Sequence, residues 1–213
     1  MKLVLASNNA KKLAELNSLF AGLPIELLSQ ASLGIDEADE PHGSFVENAL
    51  AKARHAARAS GLAAIADDSG LCVAALGGAP GVQSAVFAGP LAVPSAEALD
   101  REGLRRAQDA ANNAQLLERL QGTTDRSARF VSTLVVLRHA DDPEPLIAFG
   151  RWEARVLAAP RGEGGFGYDP LVWIDALGAS VAELDAAQKN RMSHRALAAV
   201  QMRELMRQAW QLG

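Results

Sequence analysis

Two neighbouring aspartates, Asp67 and Asp68, directly follow an apolar run over residues 62–66 and precede Ser69 and Gly70. The run predicts a short buried strand, and the hydroxyl and the glycine predict a turn after it. Adjacent carboxylates repel each other and lose hydration on burial, so a cation or proton donor must lie close if they leave water. The pair therefore indicates either a catalytic or metal-binding turn, or a solvated turn rich in Asp and Ser.

Near the N-terminus, a predicted strand over residues 3–6 runs into the polar turn 7–10 and then into a helix that carries Lys11 and Lys12 close to its start. Cations at a helix N-terminus oppose the helix dipole unless an anion joins them, and phosphate is such an anion. The sequence has no G-x-x-x-x-G-K-[ST] phosphate loop. A phosphate cradle and a capped surface helix with solvated lysines both remain open.

A polar loop over residues 29–43 contains four acids within five positions: Asp36, Glu37, Asp39 and Glu40. Mg²⁺ prefers oxygen ligands, so Asp39 and Glu40 are candidate metal ligands, although such a run is also typical of plain surface. Ser44 and Glu47 then fit a capping box that begins a helix closed by Gly61. Asn48 and Lys52 are four residues apart and therefore lie on one face of that helix.

The second half of the chain predicts a helix from Ser95 to Leu120, then a hairpin of strands over 126–139 and 146–156. Gly162, Gly164 and Gly167 formally match G-x-G-x-x-G, but an Asp-Pro and a strand follow, not a helix, so a dinucleotide fingerprint is excluded. The loop instead offers Phe166 and Tyr168 either for stacking on a base or for plugging the core.

A last cluster of polar residues precedes the C-terminal helix. Ser193 is a candidate N-cap, and Lys189, His194 and Arg195 are candidates for contact with an anion or a carbonyl. The other histidines lack zinc-like spacing, so no zinc site is predicted.

Composition bounds the class of protein. The chain has 213 residues, 49% hydrophobic content and a net charge of -4, which predict a single domain over residues 1–213 without a large basic surface for nucleic acid or an anionic membrane. Cys72 is the only cysteine, and no apolar run approaches the ~20 residues of a membrane helix. We therefore expect a cytoplasmic protein with no membrane partner and no disulfide.

Five strings in order along the chain closely resemble the inosine/xanthosine triphosphate pyrophosphatases, hydrolases of non-canonical purine nucleotides. They are Ser7-Asn8-Asn9-Ala10-Lys11-Lys12, Ser44-Phe45-Val46-Glu47-Asn48-Ala49, Ala66-Asp67-Asp68-Ser69-Gly70-Leu71, Phe166-Gly167-Tyr168-Asp169-Pro170 and Ser193-His194-Arg195. The resemblance implies an α/β fold with a bent mixed central sheet, flanking helices and two lobes around a substrate cleft. It also implies a homodimer and Mg²⁺-dependent hydrolysis of ITP, dITP or XTP to the monophosphate and pyrophosphate.

The resemblance also assigns roles. It makes Asp68 the general base and a metal ligand, places Ser69 in the substrate pocket, and puts Lys52 and Glu47 in the phosphate and metal region. The triphosphate-binding turn comprises Ser7, Asn8, Asn9, Ala10, Lys11 and Lys12. The residues that it assigns to binding of the base and sugar are Phe166, Gly167, Tyr168, Asp169, Lys189, His194 and Arg195.

Two positions depart from the family pattern. Asn8 stands where many members have glycine, and asparagine also tolerates left-handed backbone. Val86 stands where the family often has arginine, so a substrate contact made by that arginine is in doubt.

Chemistry supports the same reaction. A triphosphate repels an attacking hydroxide, so its hydrolysis needs cations on the phosphates and a base for water. A donor such as Arg195 separates a purine that carries a carbonyl at C6 from adenine, but guanine shares that carbonyl. Two alternatives stay open: a related pyrophosphatase for modified or pyrimidine nucleotides, and a non-catalytic nucleotide sensor.

Overall fold

A computed structural model describes residues 1–90 and 100–212 of the chain. The strands in these ranges are β1 Lys2–Leu5, β2 Glu26–Ser29, β3 Ala63–Val73, β4 Ser127–Leu137, β5 Leu146–Val156, β6 Val172–Ile174 and β7 Ala179–Ser180. The helices are α1 Ala10–Leu19, α2 Phe45–Ser60, α3 Arg101–Arg119, α4 Ala186–Met192 and α5 His194–Trp210. The first part of the helix predicted from Ser95 to Leu120, residues 95–99, lies outside the described residues.

The strands form one sheet in the order β2-β1-β3-β4-β5-β6-β7. Strand β1 pairs in parallel with both β2 and β3, whereas β6 pairs antiparallel with both β5 and β7. The predicted α/β class with a mixed central sheet and flanking helices is therefore confirmed. Strands β4 and β5 are neighbours, as the predicted hairpin requires.

The chain divides into two compact units. The first unit comprises residues 1–69, 131–151 and 190–213, and the second comprises residues 70–130 and 152–189. Strands β3, β4 and β5 each contribute residues to both units.

In the first unit, helices cover both faces of the sheet. One buried cluster joins Leu3, Leu5 and Ile65 of the strands to α1 and α5, and the other joins Val4 and Ala64 to α2. Successive side chains of a strand point to opposite faces, so odd-numbered residues of β1 and β3 face α1 and α5 while even-numbered ones face α2. A sheet covered on both faces has near-continuous apolar strands, which explains the run over residues 62–66.

The predicted turn after that run is wrong. Residues 67–70 continue β3, and Asp67 and Asp68 are 1% and 5% exposed. The alternative of a solvated turn is therefore also wrong. Extended backbone sends the two carboxylates to opposite faces, which relieves their repulsion, and a separate cation neutralises each one.

Local capping signals were predictive. The Asn9 side chain accepts hydrogen bonds from Lys11 N and Lys12 N at the start of α1. Ser44 caps α2, and Gly61 ends it in the left-handed conformation. In the second unit, Asp100, which was not predicted as a cap, caps α3 by accepting from Gly103 N. Within residues 1–90 and 100–212, every helix is too short or too polar to cross a membrane.

The turn between β4 and β5 is held by the buried carboxylate of Asp142, which accepts from Arg138 N at 2.8 Å and from Glu144 N at 3.0 Å. Burial by itself raises the pKa of Asp142, but these donors and the Arg138 charge outweigh it and hold that pKa below its ordinary value. The carboxylate therefore stabilises the fold at neutral pH.

We predict that Asp142→Ala lowers the free energy of unfolding by about 1–2 kcal/mol at pH 7, because two backbone donors lose their acceptor. The folded pKa lies below the unfolded value of about 3.9, so the stabilisation is present above that pH and is lost as pH falls through the folded pKa. Urea unfolding at several pH values should show the difference from wild type shrinking below about pH 4. Asp141→Ala, at a side chain 90% exposed, is the control. A difference that stays constant down to pH 3 would contradict the prediction.

Candidate active site

Asp67 is at the centre of a buried ion network on the α1 and α5 face of the sheet. Its Oδ2 lies 2.9 Å from Lys12 Nζ and accepts from Arg195 Nη2 at 3.0 Å. Its Oδ1 accepts from the hydroxyl of Ser132 on β4 at 2.7 Å. Burial alone raises the pKa of Asp67, but Arg195 and Lys12 outweigh it and hold that pKa well below its ordinary range. Asp67 is therefore an anion saturated by protein donors.

Arg195 reaches this network from the first turn of α5 and is 1% exposed. It makes four hydrogen bonds: two to Asp67, one to Glu15 Oε2 and one to Ser69 Oγ. Burial lowers the pKa of Arg195, but the charges of Asp67 and Glu15 raise it above its ordinary value. As placed here, the guanidinium binds carboxylates of its own chain, so contact with a purine carbonyl requires one of these bonds to be exchanged.

The close approach of α5 to β5 depends on Gly150. A Cβ at this position would overlap the carbonyl oxygen of His194 and lie 2.7 Å from Ala198 N. The absence of a side chain at Gly150 therefore lets the first turn of α5 lie directly on the strand. Ser193 caps this turn by accepting from Ala196 N, as predicted.

Asp68 occupies the opposite face of β3, where it meets α2. Its Oδ1 accepts from Lys52 Nζ at 2.8 Å, while the buried Oδ2 has no hydrogen-bond partner within the described residues. The same Lys52 nitrogen lies 3.2 Å from Glu40 Oε1. Burial, together with the negative charge of Glu40, raises the pKa of Asp68 to about 6 against the opposing charge of Lys52. Burial lowers the pKa of Lys52, but Asp68 and Glu40 raise it above its ordinary value.

Of the four predicted metal-binding carboxylates, the structure brings Asp68 and Glu40 to a common cation. Asp39 lies in the exposed loop before α2, and Glu47 is exposed and accepts from the Ser44 hydroxyl at 2.6 Å. In residues 1–90 and 100–212, no three His, Cys, Asp or Glu side chains are grouped so that they could hold a metal ion. Asn48, next to Glu47, binds the backbone of His42 and so fixes the end of the acidic loop.

The predicted phosphate turn lies between β1 and α1. Asn9 N donates to Ser7 Oγ at 3.2 Å, Lys12 pairs with Asp67, and Lys11 and Ala10 are exposed. Gln211 is the one non-glycine residue with positive φ in the described ranges, so Asn8 does not use the left-handed backbone that a glycine there would suggest. Its buried Oδ1 has no hydrogen-bond partner in the same ranges.

In the second unit, the glycine-rich loop is tied together by Asp169. Its Oδ2 accepts from Phe166 N at 3.0 Å and from Lys189 Nζ at 2.7 Å. The Lys189 nitrogen also lies 4.5 Å from the centre of the Phe166 ring, a cation–π contact. One face of that ring is thus taken by Lys189, and Phe166 is partly exposed.

Tyr168 packs differently from Phe166. It is 4% exposed, and its hydroxyl donates to Ser84 O at 2.9 Å. Burial and the charge of Asp109 raise the pKa of Tyr168. Of the two aromatic residues proposed from sequence, Phe166 is therefore the one with ring surface left for stacking. Val86, where the family often has arginine, is 51% exposed.

A family model described as the Ham1 family matches residues 3–205. This chain belongs to the Ham1 family. Relatives named dITP/XTP pyrophosphatase include one from Methylibium petroleiphilum, 69% identical over 99% of both chains, and one from Leptothrix cholodnii, 66% identical over 100% of both.

Solved structures of Ham1 proteins are similar to this chain in fold and sequence. A HAM1 protein from Coxiella burnetii is 40% identical, with a TM-score of 0.85 over 98% of this chain and 99% of that one. The Ham1 protein of Staphylococcus aureus is 31% identical, with a TM-score of 0.81 over 98% of this chain and 100% of that one.

Sequence reasoning missed four residues that contact predicted site residues of this Ham1-family chain. Glu15 binds Arg195, Ser132 binds Asp67, and Asp109 and Asn113 bind the backbone of Gly167. Ser132 had a detectable signal, because a hydroxyl inside an apolar strand needs a buried partner. Asp109 and Asn113 share one face of α3, but nothing in the sequence indicated a contact with Gly167, which lies 58 and 54 residues away from them.

We predict unequal losses of stability when the two adjacent aspartates are replaced. Asp67→Asn leaves the buried Arg195 and Lys12 without their shared anion, so the free energy of unfolding should fall by about 3 kcal/mol at pH 7. Asp68→Asn removes a charge that burial disfavours, and Lys52 retains Glu40, so the change should stay within about 1 kcal/mol. Urea unfolding of both variants, with Asp141→Asn as the exposed control, tests this. Equal losses at positions 67 and 68 would contradict it.

Proposed function

We propose that this chain hydrolyses non-canonical purine nucleoside triphosphates, dITP, ITP and XTP, to the monophosphate and pyrophosphate. The observation that carries the proposal is Asp68, a buried carboxylate whose Oδ2 lacks a hydrogen-bond partner within the described residues. A relative 69% identical that bears the name dITP/XTP pyrophosphatase supports this substrate class.

Asp68 has the properties of a general base. A pKa of about 6 leaves it ionised at pH 7.5, yet makes it a better proton acceptor than an ordinary aspartate. Its Oδ1 is held by Lys52, which orients the carboxylate, and its Oδ2 can accept a proton from a water molecule. We assign it removal of the proton from the water that attacks the α-phosphorus; the bond from that phosphorus to the bridging oxygen breaks, and pyrophosphate leaves.

The donor set fits Mg²⁺. Asp68 and Glu40 present carboxylate oxygens around one point, which Lys52 occupies here, and Mg²⁺ is commonly held by one or two carboxylates together with substrate phosphates. When bound, the ion would neutralise phosphate charge and polarise the phosphoryl oxygens. We propose Asp68 and Glu40 as its protein ligands. Asp39 stays a candidate from the same loop, whereas the Ser44 contact of Glu47 points to a capping role.

Cations and backbone donors of the first unit suit the triphosphate. The residues proposed for this contact are Ser7, Asn8, Asn9, Ala10, Lys11, Lys12 and Lys52. A helix N-terminus with lysines favours an anion, and the Asn8 Oδ1 offers an acceptor for a sugar or bound water. Lys12 is already oriented by Asp67, so little of its side-chain entropy is lost when phosphate binds.

Base and sugar contacts are proposed for Phe166, Gly167, Asp169, Lys189 and His194. The partly exposed ring of Phe166 is suited to stacking, and the loop backbone offers hydrogen-bond groups close to it. The contribution of Arg195 is proposed to be indirect, since it binds Asp67, Glu15 and Ser69. Ser69 donates to Asp67 and accepts from Arg195, so it belongs to the same network, and we propose that it contacts the substrate.

We expect wild-type protein with Mg²⁺ to release pyrophosphate from dITP and XTP much faster than from dATP, dGTP or dUTP. A panel of these substrates, read by pyrophosphate release and by nucleotide chromatography, tests the proposal. Preference for dUTP or a modified pyrimidine would replace the substrate class. Tight dITP binding without product would favour a sensor, and equal turnover of every nucleotide would contradict selective hydrolysis.

We predict that Asp68→Asn lowers kcat for dITP by about 10²–10⁴-fold, the usual contribution of a general base, while the protein stays folded. The expected loss is specific to position 68 because only that carboxylate has an unpartnered oxygen among the two aspartates. Asp141→Asn, an equal loss of charge at an exposed side chain, should retain wild-type kcat. An Asp68→Asn protein with wild-type kcat would remove Asp68 from the role of base.

We also propose a homodimer in the cytoplasm, without a nucleic-acid or membrane partner. The nucleotide pool is cytoplasmic, and the net charge of -4 and single cysteine fit that compartment. Light scattering at micromolar concentration tests the dimer, and a monomer mass would contradict it.

A further inference from the structure

Both backbone hydrogen-bonding groups of Gly167 are bound by two side chains of α3. Gly167 N donates to Asp109 Oδ2 at 2.8 Å, and Asn113 Nδ2 donates to Gly167 O at 2.9 Å. Asp109 and Asn113 are four residues apart, so they lie one above the other on the same helix face. We call this pair of contacts the Gly167 clamp.

The clamp has a fixed chemical polarity. A backbone N–H only donates and a carbonyl only accepts, so position 109 must supply an acceptor and position 113 a donor. This requirement also orients the Asn113 amide, with its nitrogen toward Gly167. Gly167 has φ +62°, a conformation that the absence of a β-carbon makes accessible, so steric restraint does not fix this peptide by itself.

The neighbours of Gly167 are anchored as well, but in other ways. Phe166 N is bound by Asp169, and the Tyr168 hydroxyl donates to Ser84 O. Ser84 O also accepts from Asn112 Nδ2, so α3 holds the anchor of Tyr168 too. The clamp is thus the contact that fixes the peptide between the exposed aromatic ring and the buried one.

We propose that Asp109 and Asn113 are positioning residues that set affinity and selectivity for the purine base by holding the Phe166–Tyr168 loop. The inference rests on the proposed function, in which this loop contacts the base. Asp109 and Asn113 are not among the residues proposed to contact the phosphates. Loss of either contact in the Gly167 clamp should therefore weaken nucleotide binding and leave the rate of the chemical step unchanged.

Isosteric variants separate polarity from packing. Asn113→Asp replaces the donor by an acceptor facing the Gly167 carbonyl, and Asp109→Ala removes the acceptor of Gly167 N. Asp109→Asn keeps an acceptor oxygen and is the conservative rescue. Ala114→Asp adds the same charge to the same helix at an exposed neighbour and is the matched control.

We expect Asn113→Asp and Asp109→Ala to raise KM for dITP about tenfold, the effect of losing one hydrogen bond to a charged or backbone group, with kcat changed less than about threefold. The preference for dITP over dGTP should fall with them. Asp109→Asn and Ala114→Asp should stay close to wild type. Inhibition by pyrophosphate, which has no base, should be unchanged in all four variants.

The outcomes are distinguishable. Wild-type protein that neither binds nor hydrolyses dITP would overturn the proposed function and this inference together. Active wild type with an unchanged KM in Asn113→Asp, or an equal loss of pyrophosphate binding, would overturn the inference alone. If Asn113→Asp fails to fold, Asp109→Ala against Asp109→Asn makes the same comparison, and equal KM values in that pair would overturn it.

Discussion

The burial of two adjacent negative charges on β3 is the constraint on which the first unit depends. Extended backbone sends Asp67 to the face covered by α1 and α5 and Asp68 to the face covered by α2. Each face must then supply its own cation, because an unpaired buried carboxylate is strongly destabilising. The placement of Lys12 and Lys52 follows from that requirement.

Asp67 and Asp68 differ in how completely their charges are neutralised by the protein, and this difference corresponds to a structural role for Asp67 and a proposed catalytic role for Asp68. Asp67 receives donors from three elements and is held firmly as an anion, which makes it a structural tie between β3, α1 and α5. Asp68 receives one lysine and keeps an oxygen without a partner within the described residues. A buried polar atom without a hydrogen-bond partner costs stability, and a ligand or proton that binds to it gains the interaction that the fold does not supply.

The second unit faces a different physical problem. A loop rich in glycine has high conformational entropy and cannot order itself. Two side chains of α3 bind its backbone instead, Asp109 at Gly167 N and Asn113 at Gly167 O. Asp169 accepts from Phe166 N and is itself paired with Lys189. Residues of α3 and α4 thus contribute to the order of this loop, and the Phe166 ring stays partly exposed with a cation on one face.

Local signals in the sequence determined much of this protein. The caps Asn9, Ser44 and Gly61 marked helix ends because a cap acts within three or four residues, and the ordered motifs identified the family and the mixed sheet. The continuation of β3 through Asp67 was decided only in the tertiary structure. Its stabilising partners lie as far as 128 residues away, at Arg195, and no local pattern reports such a partner. A carboxylate pair that predicts a turn in isolation becomes strand when distant cations make its burial favourable.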